Sequence, residues 1–304
     1  MREPTSQPTF NSPDFIKYGT HKGKQIYLHK PTGVRYTDNG ATPGRRIPPE
    51  QVGAAVSMFY GGLSLREIKR TFGHVYDSSP STATIYEWIE DYTNLAKREM
   101  STLQPTIGDT WVADEVVLNV GGKKYWNWNV MDADSRYLLA SRLSPTRGTR
   151  DAEAVMRQAL KASGGKPPKY IITDKLASYN DGIEQVFGSD TEHIQSGGIR
   201  AQVNNNLSER LQGTIRQREK VMRGLKSQET GQMIMDGWVL HYNYFKPHES
   251  LRGKTPAERA GIDAPLKDWE MVARLDVRPF SHPRSQIEAR MPHSNVFRTR
   301  RGRL

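Results

Sequence analysis

Three carboxylates stand out by where they fall. Asp114 interrupts a run of β-formers, Thr-Trp-Val-Ala-Asp-Glu-Val-Val-Leu-Asn-Val, and Asp174 closes a second, Lys-Tyr-Ile-Ile-Thr-Asp. Glu209 lies in a helix-like run, Asn-Leu-Ser-Glu-Arg-Leu-Gln-Gly-Thr-Ile-Arg, with 34 residues between it and Asp174. Acids at the ends of buried strands are costly unless something positive sits between them. Carboxylate oxygens prefer hard cations such as Mg²⁺ or Mn²⁺. Two such ions ~3.5–4 Å apart activate a water or a 3′-hydroxyl and stabilise a leaving oxygen, which is phosphoryl-transfer chemistry. A single Asp usually closes a turn or caps a helix, and Asp109, Asp132, Asp134, Asp151 and Asp181 fit that role. Asp114 does not, because β-formers flank it on both sides. Its competitor is Glu115, which strand alternation places on the opposite face.

Cations surround the third acid. Arg216 stands seven residues after Glu209, two helical turns on, so both share a face and Arg216 could hold a terminal phosphate. Arg210, Arg218, Lys220, Arg223 and Lys226 continue the basic character, and Lys175 follows Asp174 directly. A solvated helix face with i,i+4 pairs is the competing reading for this stretch. His193, His241 and His248 do not form a metal-ligand cluster. Trp126 and Trp128 alternate, so they pack on one sheet face, and with Trp238 they read as core rather than stacking platforms.

The elements that position the acids follow from periodicity. Strand-like runs cover 110–120, 123–132 and 136–143, with Gly121-Gly122 and Asp132-Ala-Asp-Ser as turns. A helix over Asp151–Leu160 has an acidic start, a strand at 169–173 leads into Asp174, and a helix near 178–187 and a strand at 191–195 follow. Helical patterning then runs from 204 to 245, broken near Gly224. Three antiparallel strands, then helix, strand, helix, strand, helix, is the order of an RNase H-like α/β domain, with a mixed five-stranded sheet and flanking helices, expected over 105–265.

Upstream, residues 1–14 read as a flexible arm and 15–47 as a small β-ribbon, zinc-ribbon-like in shape but without cysteine. Residues 48–100 read as three helices. Pro48 or Pro49 starts the first, Ser64 caps the second, and the third begins at Thr82 after a Ser-rich turn. This is a helix-turn-helix pattern, with a plain three-helix bundle as the alternative. Lys69, Arg70, Ser81, Thr82 and Thr84 would lie near phosphates and base edges. Residues 266–304 read as an extension with a basic tail.

Composition bounds the partners. A net charge of +11 over 304 residues favours polyanions. No apolar run approaches ~18 residues, so no membrane span or partner membrane is expected. The N-terminus lacks an apolar h-region, so no secretory signal is read and cytoplasm is the default. With no cysteine, disulfides, thiol catalysis and cysteine–zinc sites are excluded.

Four stretches together resemble the DDE transposases of bacterial and archaeal insertion sequences, in the superfamily of retroviral integrases. They are Val112-Ala-Asp-Glu-Val, Ile171-Ile-Thr-Asp-Lys-Leu-Ala-Ser-Tyr, the run from Asn205 to Ser227, and Tyr242-Asn-Tyr-Phe-Lys-Pro-His-Glu-Ser-Leu-Arg-Gly-Lys-Thr-Pro-Ala-Glu. That family's second acid and Glu are spaced as Asp174 and Glu209 are, and its basic residue seven beyond the Glu matches Arg216. The resemblance implies Asp114, Asp174 and Glu209 as catalytic metal ligands for two Mg²⁺ or Mn²⁺ per site. It also implies cleavage and strand transfer on double-stranded DNA, binding of terminal inverted repeats by residues 15–98, and a homodimer or larger synaptic assembly. A prokaryotic, nucleoid-associated location follows. A non-cleaving DNA-binding regulator and another RNase H-like nuclease are the rival readings.

Overall fold

The structure, a computed structural model of the chain, describes residues 10–38, 47–76, 78–196, 213, 215 and 225–275. The chain divides into two compact units, one of residues 1–49 and 277–304, the other of residues 50–276. Each is described by itself.

In the first unit, strands β1 (Phe15–His21), β2 (Lys24–His29) and β3 (Val34–Thr37) form an antiparallel sheet in that order. Lys22 and Gly23 both take positive φ between β1 and β2. That is the tight-hairpin geometry matching strand twist. Buried Phe15 and Tyr36 form its small core, with Phe10 edge-on to Phe15 and stacked on Tyr27.

The second unit is built on five strands. These are β4 (Thr110–Val120), β5 (Lys123–Asp132), β6 (Leu138–Ser144), β7 (Tyr170–Thr173) and β8 (Glu192–Gln195), in the order β6-β5-β4-β7-β8. The first three pair antiparallel; β7 and β8 add on parallel. Parallel pairing needs crossovers, supplied by α4 (Thr149–Ala162) and α5 (Ala177–Phe187). This is the RNase H-like arrangement. At Gly121 and Gly122, positive φ makes the β4–β5 turn, and a Cβ on Gly121 would sit 2.9 Å from the Lys226 carbonyl oxygen. Helices α4 and α5 approach so closely that a Cβ on Gly182 would lie 2.7 Å from that of Ala152. Strand β6 starts two residues later than its pattern predicts. The carboxylate of Asp132 accepts from the Ser135 amide and hydroxyl, and Arg136 takes a positive φ, so the turn extends to Tyr137.

Three helices precede the sheet: α1 (Pro49–Gly61), α2 (Leu65–Val75) and α3 (Thr82–Met100). Ser64 and Glu67 form a reciprocal capping box on α2. In the third helix Tyr92, Leu95, Ala96 and Met100 continue one buried stripe to its end. That stripe packs on α6 (Gln228–Leu240), where Gly237 leaves space for Tyr60, whose hydroxyl pairs with Thr93 at 2.6 Å. The boundary expected near residue 100 is therefore bridged by packing, and helices and sheet lie in one compact unit.

A π-helical turn, His241–Phe245, follows α6. It turns Asn243 inward, whose side chain accepts from the Leu138 amide and donates to its carbonyl. After α7 (Pro256–Arg259) comes α8 (Trp269–Arg274), inside the stretch read from sequence as an extension. Leu266, Trp269, Val272 and Ala273 are buried, and the Trp269 ring stacks on Tyr60 at 5.2 Å. The spacing 269, 272, 273 is one helical face, capped by Asp268.

Candidate active site

Strands β4 and β7 run parallel, with Thr110 opposite Tyr170, Trp111 opposite Ile171 and Val112 opposite Ile172. The offset is constant at 60 over these three pairs, and Asp174 follows directly on β7, which ends at Thr173. Both stand at the carboxyl end of β7, the edge where open α/β sheets place ligands. Asp114 is 7% exposed, whereas the side chain of Asp174 is 42% exposed. An Asp114 carboxylate oxygen accepts from the Glu115 amide at 2.8 Å. Asp174 closes the β7–α5 turn by accepting from the Leu176 amide at 2.9 Å.

Glu115 joins them, which alternation alone did not predict. One carboxylate oxygen from each of Asp114, Glu115 and Asp174 lies within 4.8 Å of the others. The pleat does send Glu115 to the other face, beside Trp128 and α5. Its rung on the ladder falls at residue 175, however, past the end of β7 at Thr173. With no strand there to divide the faces, the carboxylates converge.

Two donors hold Glu115. Arg147, in the β6–α4 loop, donates from Nε to Glu115 Oε1 at 2.7 Å and again from Nη2. Tyr179 of α5 donates its hydroxyl to Glu115 Oε2 at 2.9 Å. Burial pushes the Glu115 carboxyl above its ordinary range, against the pull of Arg147 and Tyr179. Burial also raises the Tyr179 phenol well above its ordinary value, and the neighbouring acids add to this, so the hydroxyl remains a donor. Nη2 of Arg147 also stands 3.8 Å from Asp174 Oδ2. Arg147, Glu115 and Tyr179 were not singled out as functional from the sequence. The available signal was that a Glu next to a strand-buried Asp requires a cation from elsewhere in the fold.

The donor set fits a divalent cation. Asp114 and Asp174 offer hard oxygens close together, partly shielded and open on the Asp174 side, with Glu115 beside them already engaged by Arg147 and Tyr179.

Residues 108–248 match a family model described as a DDE domain. An uncharacterized protein of Methanocaldococcus jannaschii is 28% identical over 111 residues, covering 36% of this chain and 49% of that protein. The chain thus spans about half the length of this curated relative. Among solved structures, the HTLV-2 integrase catalytic core in complex with magnesium aligns with a TM-score of 0.38 and 17% identity, over 50% of this chain and 94% of that one. The catalytic core of BIV integrase gives 0.36 and 12%, over 50% and 93%.

Within the matched stretch, Asp114 and Asp174 are brought together, and Lys175 is exposed in the turn beside them. Glu209, Arg210, Arg216, Lys220 and Arg223 lie outside the described residues. Upstream of the domain, Lys69 and Arg70 are exposed on α2. Ser81 is the N-cap of α3, its hydroxyl accepting from the Thr84 amide at 3.0 Å and pairing with the Thr84 hydroxyl at 2.9 Å. These two hydroxyls already have a capping role, while Thr82 opens the helix half-buried. His193 pairs with Thr173 at 2.8 Å, and His248 packs edge-on to Tyr242.

Proposed function

We propose that this protein is a DNA transposase that cleaves a DNA strand and joins the freed 3′-hydroxyl to a target phosphate. The observation that carries this is the convergence of Asp114 and Asp174 at the carboxyl end of β7, inside the stretch that matches a DDE domain. Asp114, Asp174 and, after 34 intervening residues, Glu209 are the proposed catalytic and metal-holding residues. A pair of Mg²⁺ or Mn²⁺ ions, when bound, supplies Lewis-acid activation of the attacking oxygen and stabilisation of the leaving one. Asp114 presents a rigid ligand from the middle of β4, while Asp174 presents one from a turn held by Leu176.

Basic residues orient the polyanion. Arg216, Arg210, Lys220, Arg223 and Lys175 are assigned to phosphates near the acids, and Lys69, Arg70, Ser81, Thr82 and Thr84 to end recognition. The net charge of +11 supports attraction to double-stranded DNA, both transposon ends and target. Joining two ends requires a homodimer or larger synaptic assembly.

The test uses purified protein, Mg²⁺ and a plasmid carrying the element's ends. Strand-transfer products are expected, and they should vanish in Asp174→Asn and Glu209→Gln. Transfer that persists in either variant refutes the assignment of the acids. Tight binding of the ends with no cleavage in Mg²⁺ or Mn²⁺ would favour a regulator instead.

A further inference from the structure

We propose that Arg147 is a substrate-contacting residue of this site, gripping the phosphate that lies against Asp114 and Asp174, and that Glu115 and Tyr179 are positioning residues that hold it there. The inference rests on the phosphoryl-transfer reading above and adds residues outside the three acids.

The fold fixes Arg147 from several directions. Its backbone carbonyl accepts from the Ser178 hydroxyl of α5 at 3.1 Å. Thr146, just before it, donates its amide to the Ser144 hydroxyl and its own hydroxyl to Asp151. Gly148, just after it, donates its amide to Asp151 at 3.1 Å. A loop tied on both sides of one residue gives that residue a set position. The guanidinium is then oriented by Glu115, through Nε and Nη2 on one carboxylate oxygen.

Glu115 serves Arg147 rather than a cation. Its side chain is 3% exposed, one oxygen holds the guanidinium and the other accepts from Tyr179. A carboxylate engaged on both oxygens by a guanidinium and a phenol has little left to offer a metal. Arg147, in contrast, keeps 41% of its side chain exposed, on the lip beside Asp174. A planar fork of donors next to the acids suits a tetrahedral phosphate, which a guanidinium binds through paired hydrogen bonds. A phosphate drawn toward three carboxylates also needs a positive charge on its approach, and this one is already in place.

The experiment measures binding of a fluorescein-labelled 30-base-pair duplex across a salt series in Ca²⁺, together with Mn²⁺ binding by calorimetry. Removing Arg147 alone would leave the buried Glu115 charge without its guanidinium, so the principal variant is Glu115→Gln/Arg147→Met, which leaves net charge unchanged. The slope of log affinity against log salt should fall by about one, the value of one phosphate contact, with Mn²⁺ binding retained. Arg147→Lys keeps the charge but not the fork, and should weaken duplex binding about tenfold at fixed salt with its slope unchanged. A double variant that melts lower but keeps the wild-type slope makes the pair purely structural and overturns the inference, as does wild-type affinity in Arg147→Lys. Loss of Mn²⁺ binding in the double variant, equal to that in Asp174→Asn, makes Glu115 a metal ligand and overturns it too. Wild-type protein that fails to bind the duplex overturns the phosphoryl-transfer reading itself, and the inference with it.

Discussion

Asp114 and Asp174 are sixty residues apart in the chain, yet their carboxylate oxygens lie within 4.8 Å of one another, because β4 and β7 run side by side with that same offset through three consecutive pairs. Strand pairing brings the two acids together, and the β7–α5 turn, in which Asp174 accepts from the Leu176 amide, sets the position of the second.

Removing either charge should abolish chemistry while sparing the fold. Asp114→Asn and Asp174→Asn are expected to reduce strand cleavage by ~10³-fold or more, since metal-held groups contribute several kcal/mol to such reactions. Thermal melts without metal should not fall, and should rise for Asp114→Asn, because crowding of like charges is relieved. A loss of stability matching the loss of activity would contradict this.

Metal should register in stability as well as activity. Mn²⁺ at about 100 times its dissociation constant stabilises a folded protein by about 2.7 kcal/mol. For a unit of this size that corresponds to a rise in melting temperature of roughly 5–10 °C. EDTA should reverse the rise, and Asp174→Asn should lack it.

The α1–α6 contact has no room for a side chain at Gly237. A Cβ there would overlap the Tyr60 hydroxyl, itself paired with Thr93. Gly237→Ala should cost about 1–3 kcal/mol by overpacking, read from denaturant midpoints. A neutral result would mean that the two helices separate easily.

Trp269 tests whether residues after 265 belong to the core. It is buried, stacked on Tyr60, edge-on to Phe245, and its Nε1 donates to His241 at 3.2 Å. Trp269→Ala should cost about 3–5 kcal/mol. Truncating an extension would cost almost nothing by the same measurement.

Alkaline pH should unfold this protein through its buried phenols. Burial raises Tyr137 well above its ordinary value of 10.0, raises Tyr244 as well, and pushes Tyr242 up to about 12. A phenol with a folded pKa above its unfolded value keeps its proton longer in the folded state. Stability is therefore complete below pH 10 and lost as pH rises toward 12, by about 2–3 kcal/mol for Tyr242 alone. Urea midpoints between pH 9 and 12 should fall accordingly, and less in Tyr242→Phe.

Much of this protein is legible in its sequence, for identifiable reasons. Strand period, paired glycines at 121–122 and flanking β-formers determined β4 and β5 to the residue, and the acid positions indicated Asp114 and Asp174. These signals are local: alternation, turn chemistry and caps act within a few residues. The remaining features are non-local. Whether Glu115 reaches the acids depends on where β7 stops; whether it is paired depends on Arg147 and Tyr179, which lie 32 and 64 residues away. Whether α8 belongs to the core depends on Tyr60, brought to it from over two hundred residues upstream. A pattern of residues specifies which face of an element is apolar or charged, but the partner of that face is determined by packing, and packing exists only once the chain has closed on itself.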